Sequence, residues 1–195
     1  MKRLALLFVS LCFVFGGMFG QLSLLPQVGL NLTRYNTDPP PFVQTARVGL
    51  DFGGQVRIGG QFYVQPGIAF MRQQVELEEI RFPLPPIPNR DQINQNSLML
   101  NALIGYNLIY SDAFCFRINA GPTATWVTAV STNKLNLTKS NFNSIQYGAR
   151  AGLGIDIAVF TFDLNYDHGL NNSLIDTESK VRMLSANVGL KFTFD

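Results

Sequence analysis

Hydrophobic residues recur at every second position through most of this chain. In the last stretch Leu184, Ala186, Val188, Leu190, Phe192 and Phe194 share one parity, while Ser185, Asn187, Gly189, Lys191 and Thr193 share the other. Side chains alternate faces along a β-strand, so such a segment has one apolar face and one polar face. The same period predicts eight strands, at residues 24–35, 44–53, 56–73, 97–109, 113–130, 144–157, 160–170 and 182–194. Each has about the 9–11 residues that cross a bilayer at a tilt.

The connections alternate in length. Residues 53–55, 110–112 and 158–159 read as tight turns, whereas 36–43, 74–96, 131–143 and 171–181 are longer. Short turns on one side and long loops on the other mark outer-membrane barrels, with the short turns periplasmic. Closure also satisfies every backbone group, which an open sheet in lipid could not do. The prediction is an all-β, up-and-down, eight-stranded antiparallel transmembrane β-barrel with both termini in the periplasm. Glycines such as Gly29, Gly49, Gly67, Gly105, Gly121, Gly148, Gly152, Gly154 and Gly189 fall on the polar parity. Small residues suit the narrow interior of eight strands. Aromatic residues gather towards strand ends, with Phe52, Tyr106, Phe114, Phe160, Phe192 and Phe194 assigned to a periplasmic girdle. Tyr35, Phe70, Trp126, Tyr147 and Tyr166 are assigned to an outer girdle.

Residues 1–20 have the form of a secretory signal. Lys2 and Arg3 precede a continuous apolar run, and Gly16, Gly17 and Gly20 supply small residues near a cleavage point. Domain organisation is then a signal peptide at 1–20 and a barrel domain at 21–195. Lys2 and Arg3 account for the formal charge of +2, so the remainder is neutral. Nothing basic is left over to attract nucleic acid. Beyond the signal there is one cysteine, Cys115, and one histidine, His168, which argues against an intramolecular disulfide and a metal site of His/Cys type, and no cofactor is expected.

The polar parity carries Arg47, Arg57, Arg117, Arg150 and Lys191 together with Asp51, Asp156, Asp163 and Asp167. In a narrow lumen these charges must pair, because an isolated buried charge is costly. They are expected to form a packed network rather than an ion path. His168 sits at the outer end of the seventh strand on the lipid-facing parity, with Ser173 and Glu178 following it. A lipid A-modifying site would use a histidine with such partners at the outer rim, but the mismatched parity favours a girdle histidine and no enzyme. The segment 74–96 holds Glu76, Glu78 and Glu79, then Phe82, Pro85, Pro86 and Pro88. Repeated proline favours an extended ribbon that a protein partner can grip.

Asn187, Gly189, Phe192 and Phe194 resemble the insertion signal read by the barrel assembly machinery, although Asp195 replaces the usual terminal aromatic residue. The whole chain after the signal resembles the PorT-like outer-membrane β-barrel family, through Gly-flanked strand motifs such as Val28-Gly29-Leu30 and Gln65-Pro66-Gly67-Ile68. That resemblance implies a bacterial outer-membrane location, contact with outer-membrane lipid and, for some members, a role in type IX protein secretion. The reading is a structural or interaction protein that works through its external loops. A secretion accessory, a lipid A-modifying enzyme and a small channel are the alternatives.

Overall fold

A computed structural model describes residues 21–37, 42–79, 89–111, 113–131, 143–172 and 179–194. They form β1 (Leu22–Thr37), β2 (Phe42–Gly59), β3 (Phe62–Glu79), β4 (Asn89–Tyr110), β5 (Phe114–Val130), β6 (Ile145–Ile157), β7 (Phe160–Gly169), β8 (Ser179–Leu190) and β9 (Phe192–Phe194). All neighbours are antiparallel, and β1 pairs with both β2 and β8, which closes the ring. The short β9 continues β8 past Lys191 and pairs with Leu22–Leu24 of β1. These two pieces make one crossing strand, so eight strands close the barrel.

The barrel is inverted relative to a soluble protein. Among the described residues, 25 buried side chains are polar or charged and only eight are hydrophobic. Outside, Ile104, Leu50, Phe62, Val28 and dozens of other large apolar residues are exposed. A contiguous apolar surface of that size belongs in lipid. On β1 the exposed apolar positions run from Leu22 to Leu32. That is about 34 Å of strand, or roughly 26 Å along the membrane normal at a tilt of about 40°.

The structure moves the first predicted turn. Residues 53–55 lie inside β2, and the hairpin comes at Gly59, Gly60 and Gln61. Gly59 has φ +129°, and a Cβ there would overlap the Phe62 carbonyl, so only glycine fits. Gly53 instead lets β3 approach closely at Ile68 and Ala69. The shift also corrects the girdles. Phe52 and Phe70, assigned to opposite membrane surfaces, are cross-strand partners with ring centroids 5.3 Å apart. Both therefore lie at one depth.

The predicted external segment 74–96 is also mostly sheet. β3 and β4 stay paired out to Glu79 opposite Asn89. Glu76, Glu78 and Glu79 are therefore on a strand, and only residues 80–88 remain between the two arms.

Candidate functional site

Charged side chains occupy two regions, the lumen and the outer rim. In the periplasmic half of the lumen, Asp156 on β6 is gripped by three cations. Arg57 of β2 donates from Nη1 to Oδ2 at 2.6 Å, and Arg117 of β5 donates to Oδ1. Lys191, at the break between β8 and β9, approaches at 3.5 Å. Arg117 is fully buried, and its Nη2 donates to Asp163 Oδ1 at 2.6 Å and to Thr161 Oγ1 at 2.7 Å. Its guanidinium lies where a Cβ on Gly154 would be, so the glycine opposite makes room for the cation.

Neutral amides extend this cluster. Gln27 donates to Asp163 at 2.8 Å and Gln55 donates to Gln27 at 3.1 Å. Gln65 donates to Gln55 and accepts from Arg57 Nε at 2.9 Å. Charge-assisted bonds of this kind are short and about twice as strong as neutral ones. The Arg57 guanidinium also lies 5.0 Å from the centre of the Tyr63 ring.

The outer half of the lumen is built differently. Arg150 of β6 makes a two-pronged bond to its neighbour Asp167 on β7, with both contacts at 2.9 Å. Asp51 has amide partners, accepting from Asn187 and, at 3.5 Å, from Asn31. Above them Met71, Met99 and Met183 form a buried cluster, capped by hydrogen bonds joining Gln73, Gln95, Ser97 and Thr33. Two cavities of about 20 and 30 Å³ lie beside these groups, room for little more than a water each.

Of the nine charges assigned to the lumen from sequence, eight are placed there and Arg47 is not. Between Arg47 and Leu50 the β2–β3 register slips, with Val48 and Gly49 opposing one residue of β3. This bulge reverses the parity, so Arg47 faces outward, exposed and opposite Gln74. The lumen also holds apolar groups that the polar parity did not announce, among them Leu25, Tyr63, Leu103, Cys115 and Val127. Tyr63 is accommodated by Gly105 directly opposite, a pairing visible in sequence only once the register is known.

The remaining sequence-derived residues are scattered. Asn187 faces the lumen, and Gly189 is buried opposite Gln27 and Thr161. Phe192 and Phe194 face outward and are exposed. Phe82, Pro85, Pro86 and Pro88 lie outside the described residues, as do the signal segment, Ser173 and Glu178. His168 projects outward at the rim, its ring 6.4 Å from that of Tyr166. Among the described residues, no cluster of His, Cys, Asp and Glu could hold a metal.

Solved barrels share this architecture. OprG from Pseudomonas aeruginosa superposes with a TM-score of 0.55 at 14% identity, over 91% of this chain and 97% of that one. Ail of Yersinia pestis, solved in complex with the heparin analogue sucrose octasulfate, gives 0.50 at 13% identity over 90% and 100%. Neisserial surface protein A gives 0.50 at 12% identity over 87% and 97%. At such identities the likeness is one of fold. No curated protein matches the chain. Residues 19–174 match the family described as "Outer membrane protein beta-barrel domain", and the chain belongs to that family of integral outer-membrane proteins.

Proposed function

We propose that this protein is a non-enzymatic interaction barrel that holds a ligand-gripping tip away from the membrane. The observation that carries this reading is the outward extension of β3 and β4, with β2 paired along the other edge of β3 as far as Phe42 opposite Glu79. Beyond Phe70 and Leu98, the last apolar outward residues described on these strands, the two arms continue in register to Glu79 and Asn89. That is about 30 Å of paired backbone, and residues 80–88, with Phe82, Pro85, Pro86 and Pro88, join its two arms in the sequence. Paired backbone of this length is more than anchoring needs, and a segment this rich in proline favours an extended ribbon that a partner can grip.

The lumen supports the same reading. Arg117, Asp156 and Thr161 are essentially inaccessible, and the outer half is filled by methionine and glutamine, so the interior serves as a scaffold rather than a conduit. In this reading residues 1–20 direct export, and Asn187, Gly189, Phe192 and Phe194 present the closing strand to the assembly machinery. Both termini remain periplasmic. Export and insertion follow the resemblance in the terminal strand, and the narrower resemblance to PorT-like barrels adds a role beside protein secretion.

Replacing residues 80–88 with a two-residue turn tests the proposal. The expected result is a barrel that still changes gel mobility on boiling but no longer crosslinks to its external partner. Unchanged crosslinking would sink it. A null strain with an altered secreted-protein profile would move the assignment to the secretion accessory. A change in lipid A mass on His168→Ala would move it to the enzyme.

A further inference from the structure

The outward face of the barrel changes character along one line. On β1 the exposed apolar positions end at Leu32 and Arg34 follows; on β8 they end at Leu184 and Arg182 follows; on β7 they end at Tyr166 and His168 follows. Register aligns these ends. Arg34 pairs with Arg182 and Arg182 with His168, while one step inward Leu32 pairs with Leu184 and Leu184 with Tyr166. Three cationic or protonatable side chains therefore form a row across three adjacent strands, directly above a row of three apolar ones. With strands about 4.8 Å apart, the row is roughly 10 Å wide at the backbone.

Like charges directly opposite each other on a sheet destabilise it. No ion pair joins Arg34 or Arg182 to another described residue, and no carboxylate occupies the outward positions described on β7, β8 and β1. Lys180, exposed one step further out opposite Asn36, adds to the positive field. The far side of the barrel ends its apolar band differently, in Trp126 on β5 and in Ile145 and Tyr147 on β6. Exposed Arg47 of β2 and Arg72 of β3 continue the basic character beyond β1, so it covers one side of the barrel and not its whole circumference.

We propose that this row is a binding site for a phosphorylated lipid of the surrounding outer leaflet. Arg34, Arg182 and His168 would hold the phosphate groups, and Leu32, Leu184 and Tyr166 would carry the first acyl carbons. Guanidinium forks match phosphate oxygens in geometry as well as charge. The apolar row beneath selects an amphiphile over a free anion, because both parts of the ligand are needed to cover both rows. Bound phosphate also removes the repulsion between the paired arginines. The site is independent of the β3–β4 extension, so it stands or falls separately from the proposed function.

The test is native mass spectrometry of the full-length barrel in detergent, titrated with diphosphoryl lipid A, with a glycolipid of the same acyl chains lacking phosphate, and with inorganic phosphate. The wild type is expected to retain the phosphorylated lipid roughly tenfold better than the phosphate-free one, the effect of one or two charge-assisted bonds. The R34Q/R182Q double variant should lose that preference, and the R182K variant should keep most of it. All three should still shift mobility on boiling. If the double variant fails to fold, R182Q alone should show a reduced preference. Equal retention of both lipids by the wild type would overturn the proposal, as would an undiminished preference in the glutamine variants. Displacement by millimolar inorganic phosphate would also overturn it, in favour of a free-anion site.

Discussion

Lumen and rim use the same side chains to opposite ends. Inside, Arg117 is shared between Asp156 and Asp163 in a space with no room for solvent, and each charge is compensated within about 3 Å. At the rim, Arg34 and Arg182 face one another across two strands with no described acid between them. A buried cation depends on its built-in partners for stability, whereas an exposed one is free to serve a ligand. The difference lies in desolvation: a lumen charge has lost its water and must find a substitute, while a rim charge has not.

The comparison breaks most easily at Arg117. Arg117→Ala leaves Asp163 without its cation and Asp156 with Arg57 and Lys191 alone, and a loss of about 3–5 kcal/mol is expected. Urea unfolding followed by the fluorescence of Trp126, the single tryptophan, measures it. A loss below 1 kcal/mol would mean that the lumen is wet and the charges are solvated. Gly154→Val drives a side chain into the Arg117 guanidinium. It should cost about 1–3 kcal/mol by overpacking, read from the same unfolding curve. The double variant with Arg117→Ala should cost less than the sum of the two, because the clash disappears with the guanidinium.

In the outer lumen, Met99→Leu keeps volume but loses the sulfur that Arg150 Nη2 approaches at 2.9 Å. The expected cost is under about 1.5 kcal/mol; a larger one would show that the methionine cluster is a polar element rather than filler. At the rim, Arg34→Gln and Arg182→Gln should leave stability within about 0.5 kcal/mol of wild type. Any change should shrink further at 1 M salt, where the Debye length is about 3 Å. A large, salt-insensitive loss would place these arginines in the same structural class as Arg117.

Much of this was legible because parity is a property of one strand. Val28, Leu30 and Leu32 could be assigned outward, and Asp163 and Asp167 inward, from alternation alone. Where the strand ran unbroken, the assignment needed nothing else. Arg47 shows the failure: a two-against-one bulge inverts parity and leaves no mark in the hydrophobic pattern. The turn at Gly59 and Gly60 was missed because Gly53 and Gly54 offer the same local chemistry. A shift of six residues preserves parity, so the alternation could not choose between them.

The sequence by itself determined that the chain makes an inside-out barrel, with charge and glycine inward and an apolar wall about as tall as a bilayer. That follows from period two, which local covalent geometry imposes on any strand. The tertiary structure alone decided which residues meet. It set Arg117 between Asp156 and Asp163, laid Tyr63 on Gly105, kept β3 and β4 paired as far as Glu79 and Asn89 and aligned Arg34, Arg182 and His168 in one row. Register is a relation between strands, fixed by the fit of the closed ring, and no single strand carries it.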